Sequence, residues 1–87
     1  MNQIPQRDII DRVKQIIIDQ LDDDMTILYD DTDLYVELDI DFVSMDTIVM
    51  EIKDEFKIEF PQIDIDPMKT VGEVISYVCG KVKELNP

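Results

Sequence analysis

Three separate segments of this chain space their apolar residues as one face of an α-helix, and this spacing limits the fold more than any other feature. Apolar side chains that recur every three or four residues form a stripe that a helix buries against a core. The three stripes consist of Ile9, Ile10, Val13, Ile16, Ile17 and Leu21; of Met45, Ile48, Val49, Ile52 and Phe56; and of Val71, Val74, Ile75, Val78 and Val82. The spacing therefore predicts an all-α fold with three main helices.

Capping residues predict where these helices begin. Pro5 suits the first turn of the first helix, because a proline there gives up no hydrogen bond. Either Asp41 or Ser44 is the expected N-cap of the second helix. Thr70 and Glu73 have the spacing of a capping box, in which each side chain bonds the backbone N–H of the other residue. The last helix is therefore expected to begin directly after Thr70.

Other signals predict where helices end and where a short one lies. The run 22–24 places three aspartates side by side, and their mutual repulsion disfavours continuation of the first helix. Pro61 disfavours helical backbone at Phe60, so the second helix should end near there. Asp66 followed by Pro67 has the pattern of an N-cap and a first helical residue, which predicts a short third helix or turn.

The segment from Met25 to Asp41 keeps no helical period and predicts a long loop. Turn-forming residues such as Asp30 and Thr32 recur in it. Its apolar residues are scattered, which predicts that the loop packs on the core; they are Ile27, Leu28, Leu34, Tyr35, Val36, Leu38 and Ile40. The expected architecture is a four-helix bundle with three main helices, one short helix and a long first loop.

The charge of the chain limits its partners. Its 21 Asp and Glu residues exceed its 8 Lys and Arg residues, which gives a formal net charge of -13. No basic residue lies between Lys14 and Lys53, so this part forms the acidic end of the molecule. Such a charge repels nucleic-acid phosphates and anionic membranes, and it favours basic partner surfaces through electrostatic steering. The alternative is that the charge serves only solubility.

Length and the absence of targeting signals set further expectations. The 87 residues suit one domain, which would span residues 1–87. No basic segment followed by an apolar run opens the chain, and no stretch is long enough to cross a bilayer. We therefore expect a monomeric, cytoplasmic protein that does not insert into membranes.

Residues suited to catalysis or metal binding are scarce. The chain has no histidine, which removes histidine-based triads and histidine-ligated zinc. Its one cysteine, Cys79, falls beside the apolar stripe of the last helix and is expected to be buried or half-buried. The segments 39–43 and 64–68 begin with paired aspartates but lack the glycine and further oxygen ligands of a calcium loop. The sequence predicts neither catalytic residues nor a metal site, and the chain is not expected to be an enzyme.

Four segments, in the right order and at the right spacing, resemble the acyl carrier proteins. Residues 10–21 are similar to the first helix of that family, and Leu38 to Val43 fall where the family carries L-G-x-D-S-L. Residues 48–61 are similar to its second helix and I-E-[IF]-P exit, and residues 69–78 to its K-T-V-G-[DE]-x-I-x-Y-[IV] entry to the last helix. The resemblance covers nearly the whole chain without a gap. It implies an acyl-carrier-protein-like, all-α four-helix bundle.

The resemblance also implies a cofactor, but the motif departs from the family at its centre. In the family, the serine after the aspartate carries 4′-phosphopantetheine through a phosphodiester, and the far thiol of that group holds the acyl chain. Here Asp41 matches the aspartate and Phe42 occupies the serine position. Ser44 is the alternative attachment residue, because Ser44 to Ile48 resembles the family's S-L-D-T-V. That alignment requires an insertion before the motif and a matching deletion after it.

The expected docking surface follows from the same resemblance. Family members present an acidic second helix to basic patches of acyl-processing enzymes and of a phosphopantetheinyl transferase. The docking residues expected here are Asp41, Asp46, Met50, Glu51 and Asp54. Asp46 departs from the family in replacing an apolar contact residue.

Two functions remain open at this point. The chain is expected to act as a shuttle that presents acyl or related thioester groups to partner enzymes in specialised fatty acid, lipid or polyketide-type metabolism. The alternative is a non-carrying acidic module that docks on an enzyme or complex without a prosthetic group.

Overall fold

Four helices form the protein in a computed structural model that describes residues 5–21 and 25–85. They are α1 (Gln6–Asp19), α2 (Phe42–Phe56), α3 (Gln62–Ile65) and α4 (Val71–Leu85). Within the described ranges no strand occurs, and the only ladder-type pairing is an isolated antiparallel bridge between Asp33 and Thr70. The predicted all-α bundle of three main helices and one short helix is confirmed.

The core consists of the predicted stripes, with α1 packed on α2 and α4 and with α2 packed on α4. Every stripe residue of α2 and α4 is buried. On α1 the centre of the stripe is buried, whereas Ile10 and Leu21 are only partly buried at its edges. α1 ends at Asp19, where the Gln20 N–H donates to the Ile17 carbonyl at 3.0 Å. The aspartates at 22–24, which were expected to end this helix, lie outside the described residues.

The long loop between α1 and α2 is fixed to the start of α4 by backbone hydrogen bonds. The N–H of Leu34 donates to the Lys69 carbonyl at 2.7 Å, and the N–H of Gly72 donates to the Asp30 carbonyl at 2.9 Å. The buried Thr32 contributes its carbonyl, which accepts from the N–H of Val71 at 3.0 Å. The loop is thus a structural part of the bundle.

The packing expected for the apolar residues of this loop is correct for some of them and wrong for others. Leu28, Leu34 and Ile40 are buried, whereas Ile27 and Val36 are 69% and 82% exposed. An irregular segment turns its side chains in directions that no sequence period specifies, so apolar character alone did not identify the inward-facing residues.

The sequence predicted a short third helix or a turn at Asp66 and Pro67; the structure has a turn there, and the short helix precedes it. α3 spans Gln62–Ile65 and follows Pro61, whose carbonyl accepts from the N–H groups of Asp64 and Ile65 at 3.0 and 3.2 Å. Asp66 is therefore the C-cap of α3 rather than the N-cap of a following helix. Pro61 is the N-cap of α3 and has an extended backbone, and helical backbone begins at the next residue, Gln62.

The capping box before α4 is confirmed. The Glu73 N–H donates to the Thr70 hydroxyl at 3.2 Å, and the Glu73 carboxylate accepts from the N–H groups of Lys69 and Thr70 at 2.9 and 3.0 Å. These two backbone bonds lower the pKa of the Glu73 carboxyl from its ordinary value. On the same helix Cys79 is half-buried, as expected, and burial raises the pKa of its thiol.

Candidate functional site

The start of α2 is built around Asp41, which settles the choice between the two expected N-caps. Asp41 has extended backbone, with φ at -92° and ψ at 177°, and its carboxylate accepts from the Ser44 N–H at 2.8 Å. That bond satisfies one of the N–H groups left without a partner at the start of a helix. It also lowers the pKa of the Asp41 carboxyl. Asp41 is the N-cap, and Phe42 is the first residue of the helix.

Phe42 projects from the molecule at the position where the resemblance expects a serine. Its side chain is 81% exposed, and its ring lies 6.3 Å from the ring of Tyr35 on the preceding loop. A phosphodiester needs a hydroxyl oxygen, which phenylalanine lacks. The first residue of α2 therefore does not fit a phosphopantetheine group.

Ser44 supplies a hydroxyl two residues later, on a different side of α2. It is partly buried and lines a cleft between the end of α1 and the loop, which Leu21, Glu37 and Ile40 also line. Phe42 lines a separate cleft beside α3. Two residues along an α-helix correspond to a rotation of about 200°, which explains why the two side chains leave opposite edges of α2. Ser44 has the hydroxyl that attachment requires and lies two residues after Phe42, on another side of the helix.

The remaining hydroxyls of the second and fourth helices are less suitable. Thr47 already donates its hydroxyl to the Val43 carbonyl, at 3.1 Å. Ser76 is exposed in the middle of α4, away from any helix start.

The five expected docking residues are all exposed, and they have three different settings in the structure. Asp46, Met50 and Asp54 are exposed and follow one another at intervals of four residues, which places them along one outward stripe of α2. Met50 is 68% exposed within this stripe. Glu51 instead turns toward α1, where its carboxylate accepts from the Gln20 side-chain amide at 3.3 Å. Asp41 serves as the helix cap, as described above.

Sequence reasoning missed the apolar part of this surface. Val36 and Val43 are 82% and 74% exposed on either side of the start of α2, next to Phe42. Val43 is the second residue of α2 and falls outside the apolar stripe of that helix, which is the signal that could have indicated its exposure. Val36 carried no such signal, because it lies in the irregular loop.

Charge repulsion should measurably limit the stability of this acidic end. The ion pairs seen in the described ranges, such as Arg12–Glu55, are exposed and compensate little of the charge. Raising the ionic strength from about 0.01 M to about 0.15 M shortens the Debye length from about 30 Å to about 8 Å. We expect a stabilisation of about 1 kcal/mol, which corresponds to a rise in Tm of about 4–8 °C by calorimetry.

An isosteric variant provides the control for this effect. Asp39 has a left-handed backbone, with φ at 55°, that asparagine also tolerates. Asp39→Asn should therefore raise the Tm at low salt and reduce the gain from added salt. A Tm that is the same at both ionic strengths would contradict the role given to repulsion.

The described ranges contain neither a membrane-spanning helix nor a cluster of side chains suited to a metal ion. No helix there has the length and apolar content needed to cross a membrane. No group of three or more cysteine, aspartate or glutamate side chains is arranged to hold a metal ion in residues 5–21 and 25–85.

The bundle, the fixed acidic loop and the exposed start of α2 define a helical carrier-type domain, and comparisons with known proteins agree. Residues 11–78 match the family model described as "Phosphopantetheine attachment site". The chain belongs to this family, whose prosthetic group is 4′-phosphopantetheine, and it is a carrier-type protein rather than an enzyme.

Similar curated proteins are acyl carrier proteins from three bacteria. The chain is 33% identical to that of Picosynechococcus sp. over 75 residues, which cover 86% of this chain and 93% of the relative. It is 29% identical to that of Clostridium acetobutylicum over 76 residues, covering 87% and 99%. It is 27% identical to that of Lactobacillus acidophilus over 73 residues, covering 84% and 91%.

Proposed function

We propose that this chain is an acyl-carrier-type shuttle that presents acyl or related thioester groups to acyl-processing enzymes in specialised fatty acid, lipid or polyketide-type metabolism. The support is the match to acyl carrier proteins over most of both chains, together with the capped, exposed start of α2. The proposal includes a monomeric cytoplasmic protein, folded as one domain over residues 1–87. Its partners would be basic surfaces of these enzymes and of a phosphopantetheinyl transferase.

We assign the attachment of 4′-phosphopantetheine to Ser44. When bound, that group supplies a thiol that carries the cargo as a thioester. Ser44 carries the proposal because this hydroxyl-bearing residue belongs to the first turn of α2, is only partly buried and lines an open cleft. Asp41 holds this turn in place through the backbone of Ser44.

A second candidate function is favoured by one observation, the position of Phe42. If only the first residue of α2 can be modified, the chain as it stands carries nothing and is a non-carrying docking module. Its acidic outward stripe would serve docking in either case.

Intact-mass measurement after incubation with coenzyme A and a broad-specificity phosphopantetheinyl transferase tests the assignment. We expect the unaltered chain to gain the mass of one phosphopantetheine group and Ser44→Ala to gain none. Ser76→Ala is the matched control, because it removes the hydroxyl of an exposed serine on α4 and should still be loaded.

A further variant separates the two candidate functions. Phe42→Ser places a hydroxyl at the first residue of α2. If the unaltered chain stays unmodified and Phe42→Ser gains mass, the Ser44 assignment is wrong and the non-carrying function is favoured. If none of the forms gains mass, the carrier function itself is overturned.

A further inference from the structure

The methionines of the described ranges fall into two classes of exposure. Met25 and Met50 are 82% and 68% exposed, whereas Met45 and Met68 are 2% and 7% exposed. An exposed thioether is open to peroxides in water, and a buried one is shielded by the core around it. Oxidation of the methionines should therefore begin at Met25 and Met50.

Met50 is the one of these two exposed methionines that belongs to the outward stripe of α2. On that stripe it is the apolar side chain between the exposed carboxylates of Asp46 and Asp54. Met25 lies in the long loop, outside α2. Methionine is flexible and polarisable, and it is common at surfaces that adapt to several partners. The sulfur atom of Met50 thus belongs to the apolar contact that this stripe offers.

We propose that Met50 is a redox-sensitive modification site, at which oxidation to methionine sulfoxide weakens docking. The inference rests on the proposed function, because it takes the outward stripe of α2 as a surface that partner enzymes contact. The sulfoxide is polar, whereas the thioether that it replaces is apolar. An interface that packs around the thioether would have to bury the new S–O group without a hydrogen-bond partner, which lowers the affinity.

Hydrogen peroxide is the oxidant for this change. A lone pair of the Met50 sulfur attacks one peroxide oxygen, the O–O bond breaks, and the other oxygen leaves as water after taking the proton of the first. The sulfur is oxidised by two electrons, and the peroxide is reduced by the same two. A methionine sulfoxide reductase reverses the step, because its dithiol returns two electrons, becomes a disulfide and releases the oxygen as water. The modification is therefore reversible.

Peroxide treatment of the whole chain, followed by dithiothreitol to reduce any oxidised Cys79, tests this site. Peptide mass mapping should show that the two exposed methionines each gain one oxygen at least about tenfold faster than the two buried ones. Binding to a phosphopantetheinyl transferase without coenzyme A is then measured by isothermal titration calorimetry, before and after treatment. We expect oxidation to weaken binding by about fivefold or more, and a methionine sulfoxide reductase to restore it.

Two leucine variants assign the effect to one sulfur atom, and each is compared with itself before and after peroxide. Met50→Leu has no thioether in the stripe, so treatment should change its affinity by less than about twofold, although Met25 is still oxidised. Met25→Leu should lose affinity on treatment as the unaltered chain does. The urea midpoint of the treated unaltered chain should stay the same, because both oxidised side chains are exposed.

Several results would overturn the proposal. They are oxidation of Met50 that is no faster than that of Met45, affinity that treatment raises or leaves within about twofold, and equal losses in the unaltered chain and Met50→Leu. Binding by the untreated chain tests the proposed function separately. If the untreated chain does not bind the transferase, docking fails and the redox switch fails with it. If it binds and oxidation has no effect, docking stands and only the switch fails.

Discussion

Replacing Ile48 by alanine is expected to destabilise the protein by about 2–5 kcal/mol, because the variant removes methyl groups from a fully packed core. Ile48 is 0% exposed and belongs to the α2 stripe that packs on α1 and α4. The free energy of unfolding of a small domain is only about 5–15 kcal/mol in total, so Ile48→Ala would remove a large part of it. Urea denaturation, monitored by circular dichroism, measures this loss as a lower urea concentration at the midpoint of unfolding.

A second isoleucine in the same protein provides the matched control. Ile63 lies on α3 and is 79% exposed, so Ile63→Ala removes the same atoms from a position that water already surrounds. Its effect should stay within about 0.5 kcal/mol. Equal midpoints for Ile48→Ala and Ile63→Ala would show that the packing described for α2 is incorrect.

The second large effect is expected at Gly72. A Cβ atom added there would lie 2.7 Å from the backbone carbonyl oxygen of Asp30, closer than packed atoms normally approach. The same carbonyl accepts the Gly72 N–H at 2.9 Å, so the loop cannot move away without weakening that bond. Gly72→Ala should therefore cost about 1–3 kcal/mol, again measured by urea denaturation.

The other glycine of α4 separates this contact from general effects of helix propensity. A Cβ atom at Gly80 meets nothing within 4 Å, so Gly80→Ala should stabilise the helix by about 0.5–1 kcal/mol. The two variants introduce the same methyl group into the same helix with opposite expected signs. The close approach of loop and helix would be refuted if both variants were stabilising.

The sequence predicts the main helices well because their signals are periodic and local. The stripe of α2 contains five apolar residues at helical spacing, and all of them are buried. Thr70 and Glu73 lie three residues apart and form the expected capping box, since its geometry involves one turn of chain only. These features depend on near neighbours, which a sequence displays directly.

The short helix and the loop surface could not be predicted in the same way. Four residues of α3 are too few to show a period, so its place had to be inferred from capping and turn signals alone, and these pointed to Asp66 and Pro67. The backbone that carries Val36 is held by the Asp33 carboxylate, which accepts hydrogen bonds from the N–H groups of Tyr35 and Val36. Contacts of this kind leave no regular pattern in the sequence.

The start of α2, where the candidate site is proposed, was predicted in its position along the chain, but the sides of the helix that its residues occupy were not. The motif located the start of α2, and Asp41 is its cap as one of the two expected residues. The sequence alone gave no reason to distinguish the sides of the helix on which Phe42 and Ser44 lie. The fold provides that distinction, because the two residues line different clefts.

The attachment of the long loop to α4 limits how this protein can change in evolution. Asp30, Thr32 and Leu34 are bonded to the start of α4, and the N–H of Ile40 returns to the Leu34 carbonyl at 3.0 Å. An insertion inside this bonded segment would break several of these bonds at once, whereas one next to Asp41 would break few. A lineage could therefore gain or lose residues at the entrance to α2 and still fold. If Ser44 is the attachment residue proposed above, such a change would move that residue around the helix, which makes this junction the place where the descent of the site can be traced.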